Sequence, residues 1–598
     1  MRFCLAALLL TVTVCVSVCH AAEPGVMYVD GVDCVASPLH PKCSDSDQGY
    51  QTVEDYGWLG DRHYEDHYDT PAYNCIPPQY HEGYDICSKY TRRPISPFAA
   101  WVSVVYEAVT NPMTEEFAGA AFEYVTPPQT PWYNTSARVV SNAVCAAPEG
   151  GGPDEPNQST MLFAWGQFVD HDLDLLLNDP AMPWPIPVPE DDPVFEYPIG
   201  FTRAATNEDG AYDNAISARI DLSSVYGMPG LRSYEGGMLR SSAGGRLLPR
   251  NEDLEYELDA PPNLTEEELR QFFVAGDIRV NEQALLTSIH TLFMVEHNRL
   301  TCAIADTWHM LFGESLSDET LYNAARTVNV GQAQAITYQE YLPRLLNLDP
   351  LALDPVYTGE PRIFLDFAAV AFRLGHSQLP TDLPVYNKYR TEFLPLADVF
   401  FDPEVVTSYG WASFVGAVRE GHSKIVDNFV VDGVRNFLFE NASGVGSDLA
   451  ALNMQRGRDV GVGRFMAMCE AWGIETPEDG WQMWDSEMAE MLQSVYDTPE
   501  EVDAWVGGIC EPHPLTSGCC PQMLGTLNHK IVQEQFRLLR DTDPAFYNRH
   551  FSQSAQLWFR HRTLGRLYSD ASGVWVGNDL FEPRRGMWDP HCDRWRDY

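Results

Sequence analysis

Basic residues are scarce in this 598-residue chain: 39 Lys and Arg stand against 85 Asp and Glu, a formal net charge of −46 at pH 7. Nucleic acid and anionic membrane surfaces repel so acidic a chain, so neither is expected as a partner. Several enzyme signatures are absent as well. There is no HExxH zinc helix, no GxSxG nucleophile elbow and no phosphate-cradling P-loop. Gly461-Val-Gly463 lacks the third glycine and the preceding strand of a dinucleotide site. No internal repeat or long low-complexity tract divides the chain, and no RGD tripeptide is present. After the first twenty residues no apolar run is long enough to span a bilayer, and no apolar C-terminal tail signals a lipid anchor.

The N-terminus does carry an apolar run. Arg2, the stretch Phe3 to about Val18, and Cys19-His20-Ala21 read as a secretory signal peptide over residues 1–21, so the chain is expected to be secreted. Three of the 14 cysteines fall within it, leaving eleven in a compartment that favours disulfides. Cys75 and Cys87 are spaced to close a short loop. Cys469, Cys510, Cys519 and Cys520 are expected to pair among themselves, in an order the sequence leaves open. Asn134, Asn157, Asn263 and Asn441 begin N-glycosylation sequons. Residues 22–74 are rich in Tyr, Asp and Gly without a periodic apolar face, and read as an irregular extension or propeptide. Residues 75–598 read as one large, mainly α domain with few short strands. Helices are expected from about Glu282 to Leu311, Asn323 to Leu346 and Phe364 to Leu374, and Gly573–Val576 is a candidate for local strand pairing.

The chemistry concentrates around Trp165-Gly-Gln-Phe-Val-Asp-His-Asp-Leu-Asp174. Ser159 and Thr160 are possible N-caps for a helix through this run. On it Gln167, Asp170, His171 and Asp174 share one face, with an apolar stripe of Val169, Leu173 and Leu176 beside them. A helix so apolar is expected to be buried, and its polar face then needs partners that a cofactor or metal supplies. Alone, the face reads equally as a solvated acidic surface with an ordinary histidine.

Four further stretches are chemically loaded. Arg279 and Glu282 share a face at the start of the long helix, as a site or as a local ion pair. His376, behind the mostly apolar run Ile363–Phe372, is either a metal-ligating imidazole or a core histidine satisfied by a carbonyl. Asn453, Gln455, Arg456 and Arg458 border an apolar segment, either as outer hydrogen-bond partners of a site or as a polar loop. Ser217, Asp221 and Ser223 alternate, so an extended loop turns their oxygens one way. With a second carboxylate, for which Asp172 is available, they suit Ca²⁺; alone, such alternation is ordinary in turns.

In this order, WGQFVDHDLD, SARIDLSSVYG, GDIRVNEQ, the runs His290–Arg299 and Ile336–Pro343, FRLGH and LNMQRGRD resemble the animal haem peroxidases of the peroxidase–cyclooxygenase superfamily, over roughly Cys75 to Glu582. The resemblance implies a secreted haem b enzyme. It would use hydrogen peroxide to oxidise halide, thiocyanate or phenolic donors through a ferryl haem. His171 would be the distal base, Gln167 the holder of water or halide, and Arg279 the distal arginine. His376 would ligate the iron, with Asn453 accepting its other ring proton and Arg373 near a propionate. Asp170 and Glu282 match carboxylates that form esters with haem methyls. Asp172, Ser217, the Arg219 carbonyl, Asp221 and Ser223 match a calcium site.

Three features depart from the family pattern. Gln283 stands where some members have a methionine linked to haem as a sulfonium, so two esters and a less oxidising haem are expected. Chloride is then a poorer donor than bromide, iodide, thiocyanate or phenols. Arg219 replaces an apolar residue in the calcium loop. The acidic excess departs from the cationic members and argues against binding anionic surfaces. Two alternatives follow from the same scaffold: a matrix or adhesion protein, and a fatty-acid dioxygenase. Oligomeric state is left open.

Overall fold

The computed structural model describes three short strands within residues 26–43 and then residues 98–584, with breaks at 114–118, 130–134, 228–271, 274, 348–358, 389, 439–445 and 516–521. The signal segment, Cys75, Cys87, Cys519, Cys520 and the sequons at Asn134, Asn263 and Asn441 lie outside the described residues. Asn157 is described and half-buried.

The expected irregular extension contains an antiparallel meander: β1 (Val26–Val29), β2 (Val32–Ala36) and β3 (Pro41–Cys43). Val29 pairs with Val32, leaving Asp30-Gly31 between them. Asp-Gly between β-branched residues is a hairpin signal, and the sequence reading passed over it because it sought a longer apolar face.

The remainder is mainly α, about 52% helical. Six helices and one 3-10 turn build the site. They are α1 (Met161–Leu173), α2 (Ser223–Tyr226), α3 (Ala284–Phe312), α4 (Asp318–Ile336), α5 (Leu365–Ala369) and α6 (Leu449–Val460), with the 3-10 turn at Ala371–His376. α1 is an interior helix: every residue in it except Gln167 and Asp170 is buried. It packs against α3, α2 and the 3-10 turn. Thr160 occupies its N-cap without a capping side chain, and the Oγ of Ser159 accepts from the Met161 N–H at 3.1 Å instead. The helix stops one residue before Asp174, which is extended at φ −144° and ψ 143°. Asp174 is therefore not on a continuous helical face, although its N–H still bonds the Asp170 carbonyl at 3.0 Å.

The helix expected over 323–346 begins earlier and changes pitch. Ser317 caps it, accepting from Thr320 N–H at 3.2 Å, and its polar first turn, Asp318-Glu319, hid the start. A π-helical turn at Thr337–Tyr341 follows α4, and a short α turn, Leu342–Leu346, continues. π turns often mark functional walls. Here the turn sets Tyr341 under α1, where a Cβ on Gly166 would lie 2.7 Å from its hydroxyl. Glycine is required there for that close approach.

The helix expected over 364–374 breaks at Val370 (φ −131°, ψ −72°) into α5 and the 3-10 turn that ends at His376. Asp366, the one charge in that apolar run, is fully buried. It accepts from Thr126 N–H at 3.1 Å, Val125 N–H at 3.3 Å and Trp472 Nε1–H at 3.0 Å. Gly573–Val576 forms no strand. Gly573 ends the helix Leu564–Ser572 in the left-handed region, φ +81°, and the chain leaves without an antiparallel partner.

Cys469 and Cys510 are free, buried thiols, as is Cys145, so the expected pairing of the first two does not form. Cys469 sits inside the helix Phe465–Ala471 and Cys510 ends the helix Ala504–Ile509, each enclosed in apolar packing. Burial pushes the Cys469 thiol up to about 12. Cys302 is disulfide-bonded.

Burial also shapes the acid–base behaviour of the fold. It pushes Glu155 and Glu511 up to about 7 and Asp427 to about 6. A carboxyl whose folded pKa exceeds its unfolded one loses stability for the fold as pH rises from the unfolded value through the folded one. Depressed carboxylates such as Asp192, which is held down against its burial by Arg138, begin to lose their contribution only below the usual carboxylate range. Buried histidines held neutral, such as His290 at about 4, work the other way as pH falls below the free-histidine value. Tm is therefore expected to be higher near pH 6.5 than at pH 8, and a Tm that rises between these two values contradicts this.

Candidate active site

Gln167 and Asp170, the two residues of α1 that keep accessible surface, do not face solvent at large. Around them stand Arg279, Glu282, Arg373 and His376, all half-buried and all closely surrounded by protein. Six polar side chains that are enclosed yet still accessible mark an internal cleft between α1, the start of α3 and the 3-10 turn. The sequence-predicted catalytic and cofactor residues thus converge, and Asn453 on α6 closes the far side by bonding His376.

On one wall, His171 is buried at 6% exposure. Burial and then Arg279 hold its pKa well below the usual histidine value, so the ring is neutral and available as a base. Its Nδ1 has no hydrogen-bond partner and lies 3.8 Å from Asp277 Oδ1. Asp277 also receives Arg279: Nε to Oδ1 at 2.9 Å and Nη2 to Oδ2 at 2.8 Å. Burial opposes charge on Asp277, but the Arg279 guanidinium keeps it ionised, well below the carboxylate range. The same guanidinium donates to the Asp174 carbonyl at 2.9 Å, tying the end of α1 to the start of α3. Asp277 was missed at the sequence level. Its signal was an Asp two residues before Arg279, whose N–H it accepts at 2.7 Å in an Asx turn.

A second chain of contacts runs along the same wall. Gln167 Nε2 donates to Glu282 Oε2 at 2.7 Å, Gln283 Nε2 donates to Gln167 Oε1 at 3.0 Å, and Leu285 N–H donates to Gln283 Oε1 at 2.7 Å. Gln283 is thus the N-cap of α3. Burial pushes Glu282 up to about 7, with Gln167 and Arg279 opposing. Burial likewise raises Asp170 and, further, Asp174, which the neighbouring Asp170 carboxyl also pushes up.

On the opposite wall, burial and then Arg373 lower His376 to about 3, so this ring is neutral as well. Arg373 Nη1 donates to Asn453 Oδ1 at 3.3 Å, which marks that oxygen as an acceptor, and His376 Nδ1 lies 3.1 Å from it. The Asn453 amide nitrogen is also 2.8 Å from Nδ1. A metal at Nε2 selects the tautomer with Nδ1–H donating to Oδ1. The 3-10 turn that ends at His376 packs against α1, and His376 is near enough to His171 to act on it electrostatically.

This donor set fits a haem. There is a neutral imidazole with one nitrogen engaged and the other open, and a second neutral imidazole opposite. Asp170 and Glu282 are protonatable carboxyls suited to ester formation. Arg373 stands ready for an anionic substituent, with Asp174 Oδ2 left buried and unpartnered beside it.

The expected calcium residues also converge. Asp172 Oδ2 accepts from Asp221 N–H at 3.0 Å and Leu222 N–H at 2.9 Å, while Oδ1 accepts from Ser224 N–H at 2.9 Å and Ser223 Oγ at 3.2 Å. Ser217 Oγ donates to the Arg219 carbonyl at 3.4 Å, which puts those two oxygens side by side. Leu222 is held at φ +56°, a costly conformation for a branched side chain that a well-determined loop sustains. Burial, then the neighbouring Asp221, push Asp172 up to about 7, a repulsion that a divalent cation relieves. Among the described residues no group of three or more His, Cys, Asp and Glu could by itself hold a metal ion, and a calcium ion here would draw on hydroxyl and carbonyl oxygens as well. The Arg219 charge has a counterpart: Arg219 and Asp221 both act on Asp543, which burial raises to about 6.

Comparison with known proteins agrees with this geometry. Residues 96–578 match the family model described as animal haem peroxidase. Eosinophil peroxidase of Mus musculus is 30% identical over 505 residues, covering 74% of this chain and 68% of the relative. Peroxidase A from Dictyostelium discoideum superposes with a TM-score of 0.67 at 24% identity, covering 78% of this chain and 96% of that one. A fatty acid alpha-dioxygenase from Arabidopsis thaliana superposes with a TM-score of 0.62 at 19% identity, covering 79% of this chain and 82% of the other, a likeness of fold alone.

Proposed function

The chain belongs to the animal haem peroxidase family and is a haem-dependent peroxidase; on that premise we propose that it is a secreted, calcium-stabilised enzyme oxidising bromide, iodide, thiocyanate or phenols with hydrogen peroxide. What supports the proposal is a pair of imidazoles held neutral by burial, His171 on α1 and His376 on the 3-10 turn packed against it, close enough to act on each other. Haem would be held by His376 Nε2, oriented through Asn453, with Arg373 at an anionic substituent and Asp170 and Glu282 as ester-forming carboxyls. When bound, the haem supplies the iron and the two-electron redox capacity that peroxide cleavage needs.

The chain's own residues do the rest. His171 takes a proton from the peroxide oxygen that it faces and returns it to the departing one, base and then acid. Arg279 offers fixed positive charge to the oxygen that gains electrons, and Asp277 prevents that charge from raising the acidity of the whole wall. Gln167 offers an amide to water or to an anionic donor. The N-terminal apolar run supports secretion, and no helix among the described residues is long and apolar enough to cross a membrane. The domain is proposed to extend over residues 75–598.

The test is purification followed by an absorption spectrum and a donor panel. A Soret band with peroxide-dependent oxidation of iodide or guaiacol is expected. A haem-loaded preparation that turns over none of these donors contradicts the proposal. A dioxygenase reading draws on the shared fold, and it would gain if acid–acetone extracted the haem freely and fatty acid consumed oxygen.

A further inference from the structure

Side-chain amides are ambiguous donors and acceptors, because their two ends differ only by a rotation. A backbone N–H is not ambiguous. At the start of α3 the Leu285 N–H points at Gln283 and must donate, so Gln283 turns its oxygen to the helix and its nitrogen toward Gln167. Gln167 must then present its oxygen to Gln283 and its nitrogen to Glu282. One helix N-terminus thereby sets the direction of a three-link chain, and each link polarises the next.

The two ends of Gln167 face different surroundings. Gln283 is 1% exposed and belongs to the packed body of the protein, whereas Glu282 keeps accessible surface in the cleft. The amino end of Gln167 therefore lies on the open side. One of its N–H groups is committed to Glu282, and the other is left for a ligand. Without Gln283 only the Glu282 contact would hold the amide, and a protonated Glu282 carboxyl can instead donate to the amide oxygen and turn it, leaving an acceptor on the open side that repels an anion.

We infer that Gln283 is a positioning residue that locks Gln167 with its N–H toward the cleft, and so favours small anionic donors such as bromide at that site. This rests on the peroxidase reading above and adds to it a determinant of donor class at the position where some members link a methionine to haem.

The test replaces Gln283→Thr. Threonine retains a side-chain oxygen for the α3 N-cap but cannot reach Gln167, so the helix keeps its cap and only the lock is lost. Bromide is titrated against the resting holoenzyme and followed by the shift of its Soret band, which reads binding rather than turnover. The bromide Kd is expected to weaken on the order of tenfold, the scale of one charge-assisted hydrogen bond, with Tm and haem content unchanged. In a Gln167→Leu background, the same substitution is expected to change Kd no further.

An unaltered bromide Kd in Gln283→Thr overturns the inference, and so does an equal loss in the Gln167→Leu background. If Gln283→Thr does not load haem, Gln283→Asn, which is also too short to bridge, takes its place with the same expected loss and the same overturning result. Wild-type protein that binds haem and turns over peroxide while the variant binds bromide normally leaves the peroxidase reading standing. Wild-type protein without turnover removes that reading itself.

Discussion

His171→Ala is expected to slow peroxide consumption about a thousandfold, the scale of a lost general acid–base group, while haem content and Tm stay near wild type. The reason is local. The ring is held neutral by burial and by Arg279, and with His376 at the haem no other neutral base is placed in the cleft: Asp277 is committed to Arg279 and Glu282 to Gln167. Asp277→Asn is expected to cost less, about tenfold to a hundredfold. It removes the carboxylate that holds Arg279 and stands 3.8 Å from His171 Nδ1, but leaves the ring in place. Stopped-flow mixing with peroxide, read at the Soret band, separates the two. Equal rates for wild type and His171→Ala would end the assignment of this histidine.

The second large effect is on stability. Asp172→Ala is expected to destabilise the fold by about 3–5 kcal/mol, since each buried donor left unsatisfied costs about 1–3 kcal/mol. The N–H groups of Asp221, Leu222 and Ser224 and the hydroxyl of Ser223 would all lose their acceptor at once. Leu222 would lose the contacts that hold it in the left-handed region. Because Asp172 is next to His171 at the end of α1, catalysis is expected to fall with it. Calcium makes the effect distinguishable: EGTA is expected to lower the Tm of the wild type and to leave Asp172→Ala unchanged. A wild-type Tm indifferent to the chelator, in a protein stripped of calcium, argues that the loop is closed by hydrogen bonds alone.

What was legible in advance follows from what each signal depends on. The apolar run through Met161–Val169 and its interrupting polar residues announced a buried helix with an unusual face, and the structure buries all but Gln167 and Asp170. Helix starts with polar first turns were read late, as at Asp318, because periodicity counts only apolar positions. Cys469 and Cys510 were misjudged because a favourable compartment says nothing of whether two thiols meet in packing. Asp277 escaped because its value lies in bridging Arg279, in the turn before α3, to His171 on α1.

The order and chemistry of the motifs along the chain determined, without coordinates, the mainly α class and the family, and named the candidate site residues. Local periodicity and residue type suffice for that, since each is a property of a short stretch. Only the tertiary structure decided that α1, the start of α3 and the 3-10 turn enclose one cleft. It also decided that Arg219 has Asp543 to answer its charge, and that Gln283 directs the amide of Gln167. Those two depend on residues 116 and 324 positions apart meeting through packing, and distance along the chain carries no record of distance in space.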